Sequence, residues 1–143
     1  MIRSLILKVA ARCNIACTYC YEYSAGDQTW RDKPRFLTPE LARQLGHRIR
    51  EYGEARRVST MSIVAHGGEP LMLGARRLDT LFRELREGAG PVQLSLSLQT
   101  NGLLLDRGIC DVLESHRVMV GVSLDGGLHE NRYRVDFKGE NTW

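Results

Sequence analysis

Short apolar runs alternate with longer helical patterns along most of the chain, and this alternation constrains the fold more than any other feature of the sequence. The apolar runs predict strands over residues 4–10, 60–65, 92–100 and 118–124. Apolar residues three or four positions apart predict helices over residues 38–54, 76–86 and 106–115. The buried face predicted for the first helix is Leu41, Leu45, Ile49 and Tyr52. Because strands that alternate with helices pair in parallel through right-handed crossovers, we predict an α/β fold with four parallel strands and three helices.

The third and fourth predicted strands are apolar on one side only, which is unusual for parallel strands buried on both faces. The apolar side of the fourth strand consists of Val118, Val120, Val122 and Leu124. We expect the apolar sides to face the helices and the polar sides to line the inside of a curved sheet. The polar cavity inside would be lined by Lys8, Gln99, Asn101, Ser123 and Asp125. The alternative is that these polar residues only terminate the strands.

Three of the four cysteines, Cys13, Cys17 and Cys20, lie in one loop directly after the first predicted strand. Thiolates are the ligands that iron–sulfur clusters and zinc prefer. A four-iron cluster held by three cysteines leaves one iron open to a substrate or cofactor. Two alternatives remain, namely a zinc site completed by His66 or Cys110, and three buried structural cysteines. We expect Cys110 itself to be a small core residue of the third helix.

Three further motifs follow predicted strands, at the edge where such α/β folds place their sites. They are His66-Gly67-Gly68-Glu69-Pro70, Gln99-Thr100-Asn101-Gly102 and Ser123-Leu124-Asp125-Gly126. Two adjacent glycines let backbone approach a ligand closely. Together with the cysteine loop, and in this order, these motifs resemble the core of the radical S-adenosylmethionine (SAM) superfamily. Tyr19, directly before the third cysteine, fits the same pattern.

The resemblance implies a partial (βα) TIM-type barrel that binds a 4Fe–4S cluster and SAM, and that cleaves SAM reductively to a 5′-deoxyadenosyl radical. It implies that the three cysteines of the loop bind the cluster. It further implies that Gly67, Gly68 and Glu69 meet the amino group of SAM, with Pro70 supporting the turn. The other implied SAM contacts are Tyr19 at the adenine, Gln99 and Asn101 near the methionyl and ribose parts, Ser123 and Asp125 at the ribose or carboxylate, and Arg134 at the carboxylate. No catalytic acid or base is implied.

Within the superfamily, residues 20–34 and 130–139 resemble the peptide-modifying branch with C-terminal SPASM domains, in particular the FxsB-type maturases that cross-link side chains into cyclophanes. This resemblance implies a ribosomally made precursor peptide as substrate and a flavodoxin or ferredoxin as electron donor. A second interpretation in the same superfamily is a sulfatase-maturating enzyme that forms formylglycine from cysteine or serine. A third, of another class, is a zinc- or cluster-binding module with a structural or sensing role.

The length and charge of the chain limit the number of domains and the kinds of partner that it can have. The chain has 143 residues and a net charge of +3 with scattered basic side chains, which favours one domain and no nucleic-acid partner. No apolar run approaches the roughly 20 residues that span a bilayer, and no signal peptide is apparent, so we expect a cytoplasmic protein without a membrane partner. We also expect residues 1–143 to be the N-terminal portion of a radical SAM core, with a cluster loop at 13–23, a charged loop at 22–37 and no SPASM domain. The reason is that four strands fall short of the six that the resembled family closes.

Overall fold

The computed structural model describes residues 1–142 and contains one sheet of four parallel strands in the order β1-β2-β3-β4. The strands are β1 Ser4–Ala10, β2 Thr60–Gly67, β3 Gln93–Thr100 and β4 Met119–Val122. The helices are α1 Pro39–Arg56, α2 Gly74–Ala89 and α3 Arg107–Ser115, with short 3-10 helices at Thr29–Asp32, Pro70–Leu73 and Glu130–Tyr133. The predicted α/β fold with four parallel strands and three helices is therefore confirmed.

Two helices begin where a polar side chain caps the first turn. The hydroxyl of Thr38 accepts a hydrogen bond from the backbone N–H of Leu41 at 3.3 Å, ahead of Pro39 in the first turn of α1. The carboxylate of Asp106 accepts one from the N–H of Ile109 at 2.7 Å at the start of α3. Each cap satisfies an N–H group that has no partner inside its helix. The two helices therefore begin within one residue of their predicted starts.

The helices cover one face of the sheet, because consecutive neighbours joined by right-handed crossovers place all connections on the same side. The core between helices and sheet includes Leu94, Leu96 and Leu98 of β3 and the apolar face of α2, which consists of Leu78, Leu81, Phe82 and Leu85. On the opposite face Ile6 of β1 and Met119 of β4 remain exposed. The helices within residues 1–142 therefore leave this face of the sheet open to solvent.

The fourth strand differs from its prediction in length and in burial. It ends at Val122, so Ser123 and Asp125 lie in the following loop. Val120 and Val122 pair with the buried Leu98 and Thr100 and therefore lie on the predicted helix-facing side, but they and Leu124 remain exposed. The physical reason is position, because β4 is the edge of the sheet and pairs only with β3 among the described residues.

The predicted charged loop at 22–37 is partly ordered by the end of β1. Phe36 forms an antiparallel bridge with Ala10, and the Leu37 N–H donates to the carbonyl of Val9 at 2.9 Å. The Trp30 ring lies edge-on to Tyr23, with ring centroids 4.8 Å apart, and under the guanidinium of Arg12 at 4.8 Å. These aromatic side chains therefore hold the loop against the cysteine loop.

Helices α1 and α2 approach closely through glycines rather than through large apolar side chains. A methyl group built on Gly46 would lie 2.7 Å from the Leu85 carbonyl and 2.8 Å from both the Ala89 nitrogen and the Gly88 Cα. Leu41, expected on the buried face of α1, is 49% exposed, while Ala42, Gly46, Ile49 and Gly53 are buried. The face of α1 that contacts α2 is therefore rotated from the predicted face toward the small residues of the helix.

Replacing Gly46 with leucine is expected to lower the free energy of unfolding by about 1–3 kcal/mol, because overpacking a tight helix contact forces the backbones apart. Denaturant unfolding followed by circular dichroism measures the change. The control is Gly26→Ala, because a methyl group at Gly26 meets nothing within 4 Å, and its effect should stay within about 0.5 kcal/mol. Equal midpoints for Gly46→Leu and wild type would contradict the close packing.

None of the helices within residues 1–142 is long and apolar enough to cross a membrane.

Candidate active site

The cysteine loop is held against a distant segment of the chain by backbone hydrogen bonds. The N–H of Ala16 donates to the Val135 carbonyl at 2.7 Å, and the N–H of Thr18 donates to the Tyr133 carbonyl at 3.0 Å. Within the loop, the Cys20 N–H donates to the Cys17 carbonyl at 3.1 Å. The loop therefore has a defined backbone path, and its three cysteines are partly exposed.

The glycine turn after β2 packs directly under the start of the cysteine loop. The Gly68 N–H donates to the Ala10 carbonyl and the Glu69 N–H to the Arg12 carbonyl, both at 2.9 Å. Gly67 has a φ of 121°, which favours glycine, and its N–H donates to Nδ1 of His66 at 2.7 Å. A side chain on Gly68 would collide with the carbonyl of Arg12. Only glycine permits this approach of two backbones.

One cavity of about 240 Å³ brings most of the predicted site residues together at the C-terminal edge of the sheet. Its walls include Cys13, Cys17, Cys20, Tyr19, Gly67, Gly68, Glu69, Gln99, Asn101, Ser123 and Arg134. Pro70 is buried behind the turn, and Asp125 lies beside the cavity without lining it. Lys8 was expected in the polar interior but does not line the cavity, because its ammonium pairs with Glu22 at 2.5 Å.

Glu69 is the most heavily hydrogen-bonded side chain of the site, and it is 1% exposed. One carboxylate oxygen accepts from the Leu71 N–H at 2.9 Å and from the Thr100 hydroxyl at 2.7 Å. The other accepts from the Asn101 N–H at 2.8 Å. Glu69 thus ties the loop after β2 to the end of β3, and its hydrogen bonds compensate the burial of its carboxylate.

Three side chains from different loops meet at the mouth of the cavity. The Tyr19 hydroxyl donates to Asp125 at 2.5 Å, and the Arg134 guanidinium donates to the Tyr19 hydroxyl at 3.4 Å. Arg134 is 7% exposed and lies 4.0 Å from the Asp125 carboxylate. Partial burial raises the pKa of the Tyr19 phenol, and its hydrogen bond to Asp125 acts in the same direction. The group joins the cysteine loop to the loop after β4 and to residue 134.

The two amide side chains at the end of β3 make different contacts. Gln99 donates to the Ser123 hydroxyl at 2.7 Å, across to the loop after β4. Asn101 donates to the Asn14 side-chain oxygen at 2.7 Å and lies 3.8 Å from the Cys13 sulfur. Gln99 therefore spans the sheet edge, whereas Asn101 contacts the cysteine loop.

The electrostatic surroundings differ among the cysteines. Burial raises the pKa of the Cys13 thiol, and burial also raises that of Cys17, against the opposing effect of Arg134. Binding to a metal centre would displace these protons, since the ligand is the thiolate. Cys110 is exposed on α3 and does not line this cavity, so its prediction as a core residue is wrong.

The donor set fits a cluster with an open iron and a small zwitterionic ligand. Three thiols share a cavity wall with a glycine turn that a side chain would fill and with a buried carboxylate. Among residues 1–142, no three His, Cys, Asp or Glu side chains are gathered on a point that could hold one metal ion. That finding concerns a single ion, whereas a four-iron cluster would bind each thiolate on a different iron.

Sequence reasoning missed several residues at the site, among them the polar residues Thr100 and Asn14. Both contact other side chains of the site, Thr100 through Glu69 and Asn14 through Asn101. Their signal was adjacency alone, because Thr100 lies between Gln99 and Asn101 and Asn14 directly follows Cys13. A larger groove of about 540 Å³ over the outer side of α1 contains none of the motif residues.

Comparisons with known proteins agree with this geometry. The sequence pattern of the radical SAM superfamily matches residues 7–143. A serine-type anaerobic sulfatase-maturating enzyme of Klebsiella aerogenes is 34% identical over 143 residues, which cover 97% of this chain and 33% of the relative. A cysteine-type anaerobic sulfatase-maturating enzyme of Clostridium perfringens is 28% identical over 98% of this chain and 38% of the relative.

Solved structures lead to the same family. The structure of native anSMEcpe with bound AdoMet and Cp18Cys peptide has a TM-score of 0.78 and 28% identity over 99% of this chain and 37% of that chain. The chain thus spans 33% to 38% of the length of the curated relatives described above. Because the superfamily pattern covers nearly the whole sequence and the fold agrees, the chain belongs to the radical SAM superfamily, whose enzymes use a 4Fe–4S cluster and SAM.

Proposed function

We propose that this chain forms the cluster- and SAM-binding part of a radical SAM enzyme that modifies a peptide. The observation that carries the proposal is the single cavity in which Cys13, Cys17 and Cys20 meet the glycine turn and Glu69. These three thiolates would hold a 4Fe–4S cluster, and a cluster with only three protein ligands would keep one iron available to SAM. We further propose that residues 1–143 form the N-terminal portion of a radical SAM core.

Glu69 is proposed to bind the amino group of SAM. Its two carboxylate oxygens offer about four acceptor positions, and hydrogen bonds from Leu71, Thr100 and Asn101 use three of them. The remaining position belongs to a buried carboxylate on the cavity wall. An ammonium group satisfies that position and compensates the burial of the negative charge. The Gly67–Gly68 backbone, supported by Pro70, gives the methionyl part of the ligand close access.

The remaining SAM contacts are proposed on the opposite walls of the same cavity and, for Asp125, directly beside it. Tyr19 flanks the adenine, and Gln99 and Ser123 reach the ribose from the ends of β3 and β4. Arg134 and Asp125 are proposed at the ligand carboxylate and ribose, and both are tied to Tyr19 by hydrogen bonding or proximity. Asn101 was predicted among these contacts as well, and its side chain also lies on the cavity wall.

The residues of this chain bind and orient the cofactors, and no acid or base among them is assigned to catalysis. When bound, the reduced cluster and SAM supply the 5′-deoxyadenosyl radical that starts the reaction. The buried network around Glu69 fixes the cavity wall in advance, and this wall would orient SAM beside the cysteine loop. Preorganisation of this kind is the contribution that a protein makes to cofactor chemistry.

The substrate is proposed to be a peptide, because related enzymes mature sulfatases and one solved relative holds the Cp18Cys peptide. Oxidation of a cysteine or serine side chain to formylglycine is favoured by these relatives. Cross-linking of side chains in a ribosomally made peptide is supported by the resemblance of residues 20–34 and 130–139 to cyclophane-forming maturases. A flavodoxin or ferredoxin is the proposed electron donor for both reactions.

Anaerobic reconstitution tests the proposed function directly. We expect brown protein with a 4Fe–4S absorbance and, after reduction with dithionite, 5′-deoxyadenosine formed from added SAM. Chromatography measures the nucleoside, and elemental analysis measures iron and zinc in the same sample. Colourless protein with one zinc per chain would instead support the structural or sensing module.

Replacing Glu69 with glutamine is expected to weaken SAM binding by about tenfold and to lower the free energy of unfolding by about 1–3 kcal/mol. The first effect follows from loss of a charge-assisted contact, and the second from turning an amide N–H₂ toward donors already present. Calorimetry on the reconstituted protein and denaturant unfolding measure the two effects. Thr100→Val is the matched control, because it removes one hydrogen bond to Glu69 and leaves the carboxylate charge intact. Unchanged SAM affinity in Glu69→Gln would contradict the assignment of the amino group.

A further inference from the structure

The Asn101 side chain uses all of its hydrogen-bonding groups within the protein. Its oxygen accepts the Leu103 N–H at 3.0 Å. Its nitrogen lies 2.7 Å from the Asn14 side-chain oxygen and 3.8 Å from the Cys13 sulfur. A side-chain amide has two N–H donors, so one serves Asn14 and the other points to the sulfur.

The orientation of this amide is determined by its neighbours. The Asn14 oxygen and a Cys13 thiolate are both acceptors, so a rotated Asn101 amide would face them with its own oxygen. That rotation would also remove the acceptor for the Leu103 N–H. The backbone of Asn101 is fixed as well, because its N–H donates to the buried Glu69 carboxylate at 2.8 Å. Asn101 is therefore a rigid connection between the end of β3 and the first cysteine of the loop.

We propose that Asn101, oriented by Asn14, positions the Cys13 sulfur and raises the reduction potential of the cluster, and that it acts on the sulfur rather than by contacting SAM. This inference rests on the proposed cluster site. Reduction adds one electron to the cluster and increases the negative charge on its sulfur ligands. An N–H dipole aimed at a ligand sulfur stabilises that charge, and hydrogen bonds to sulfur are among the factors that set cluster potentials.

Gln99 shows by contrast why this role belongs to Asn101. Both amides lie at the end of β3 and line the same cavity. Gln99 donates to the Ser123 hydroxyl at 2.7 Å, on the side of the cavity formed by the loop after β4. At the end of β3, the Asn101 amide therefore faces a proposed cluster ligand, whereas the Gln99 amide faces the side of the cavity proposed for the nucleoside.

The test is a redox titration of the reconstituted chain without SAM, followed by electron paramagnetic resonance. The variants are Asn101→Leu, Asn14→Leu and, as the control, Gln99→Leu. At the wild-type midpoint potential, Asn101→Leu is expected to lower the ratio of reduced to oxidised cluster by about threefold. Asn14→Leu should shift the ratio in the same direction by a smaller amount, because the donor remains but loses its orientation. Gln99→Leu should leave the ratio unchanged.

The outcomes separate this inference from the proposed function. If the wild-type chain binds iron and both asparagine variants keep its midpoint potential, the inference is wrong while the cluster assignment stands. A loss of SAM affinity in Asn101→Leu with an unchanged potential would likewise assign the residue to the ligand instead of the sulfur. If Asn101→Leu does not retain the cluster, the potential of Asn14→Leu decides. A wild-type chain without iron would overturn both proposals.

Discussion

Replacing Cys17 with alanine is expected to abolish stable binding of the cluster, and Cys13→Ala and Cys20→Ala are expected to do the same. Three thiolates are the only protein ligands in the proposed site, so loss of one leaves two irons without a protein ligand. The wall of the cavity offers no further cysteine as a replacement, since Cys110 is exposed on α3 among residues that do not line it. Iron and sulfide content after anaerobic reconstitution, together with the visible absorbance, measures the loss.

The matched control for these variants is Cys110→Ala, which removes a thiol of the same chemistry from the same chain. We expect it to retain wild-type iron content. An iron-free Cys110→Ala protein together with an iron-loaded Cys17→Ala protein would show that the ligand set is wrong. Circular dichroism of each apoprotein separates loss of ligands from loss of folding.

Replacing Gly68 with valine is expected to weaken SAM binding by at least about tenfold, which is about 1.4 kcal/mol. The motif alone predicts that such a side chain would intrude on the ligand. The contacts give a different cause, because the new Cβ would collide with the backbone carbonyl of Arg12 and the hydroxyl of Tyr23. The collision separates the glycine turn from the start of the cysteine loop. The two cavity walls that these segments form then no longer have the spacing that SAM binding requires. Calorimetry on protein of measured iron content gives the affinity.

Gly26→Val is the control for this variant, because the space around Gly26 is open. It adds the same side chain to a loop next to the cysteines and should leave SAM affinity unchanged. Wild-type affinity in a folded, iron-loaded Gly68→Val protein would refute the close approach of the two backbones. A folded Gly68→Val protein that binds SAM weakly supports it.

The periodic parts of the fold were predictable because burial imposes a regular spacing on the sequence. Leu78, Leu81, Phe82 and Leu85 recur at the helical period and all face the core. The same rule, applied too loosely, misplaced Cys110. It follows the buried Ile109 directly, and neighbouring positions on a helix point about 100° apart, so Cys110 faces solvent.

Contacts between elements were not predictable in the same way, because they depend on the shape of the partner. The buried stripe of α1 consists largely of small residues, and nothing in α1 alone shows that Gly46 must face Gly88 of α2. The motifs predicted which loops form the cavity, since strand ends meet at one edge of a parallel sheet. They did not predict that Lys8 would pair with Glu22 outside that cavity.

The hydrogen bonds from Ala16 and Thr18 to Val135 and Tyr133 have a consequence for biogenesis. The cysteines precede the segment that holds their loop by more than 100 residues. At a translation rate of about 5–20 residues per second, the cysteines are synthesised roughly 5 to 25 s before that segment. During this interval the thiols are open to oxidation and to adventitious zinc. Delivery of iron and sulfide is therefore best timed after the segment around Tyr133 and Val135 has been made, when a carrier meets a loop that this segment already anchors.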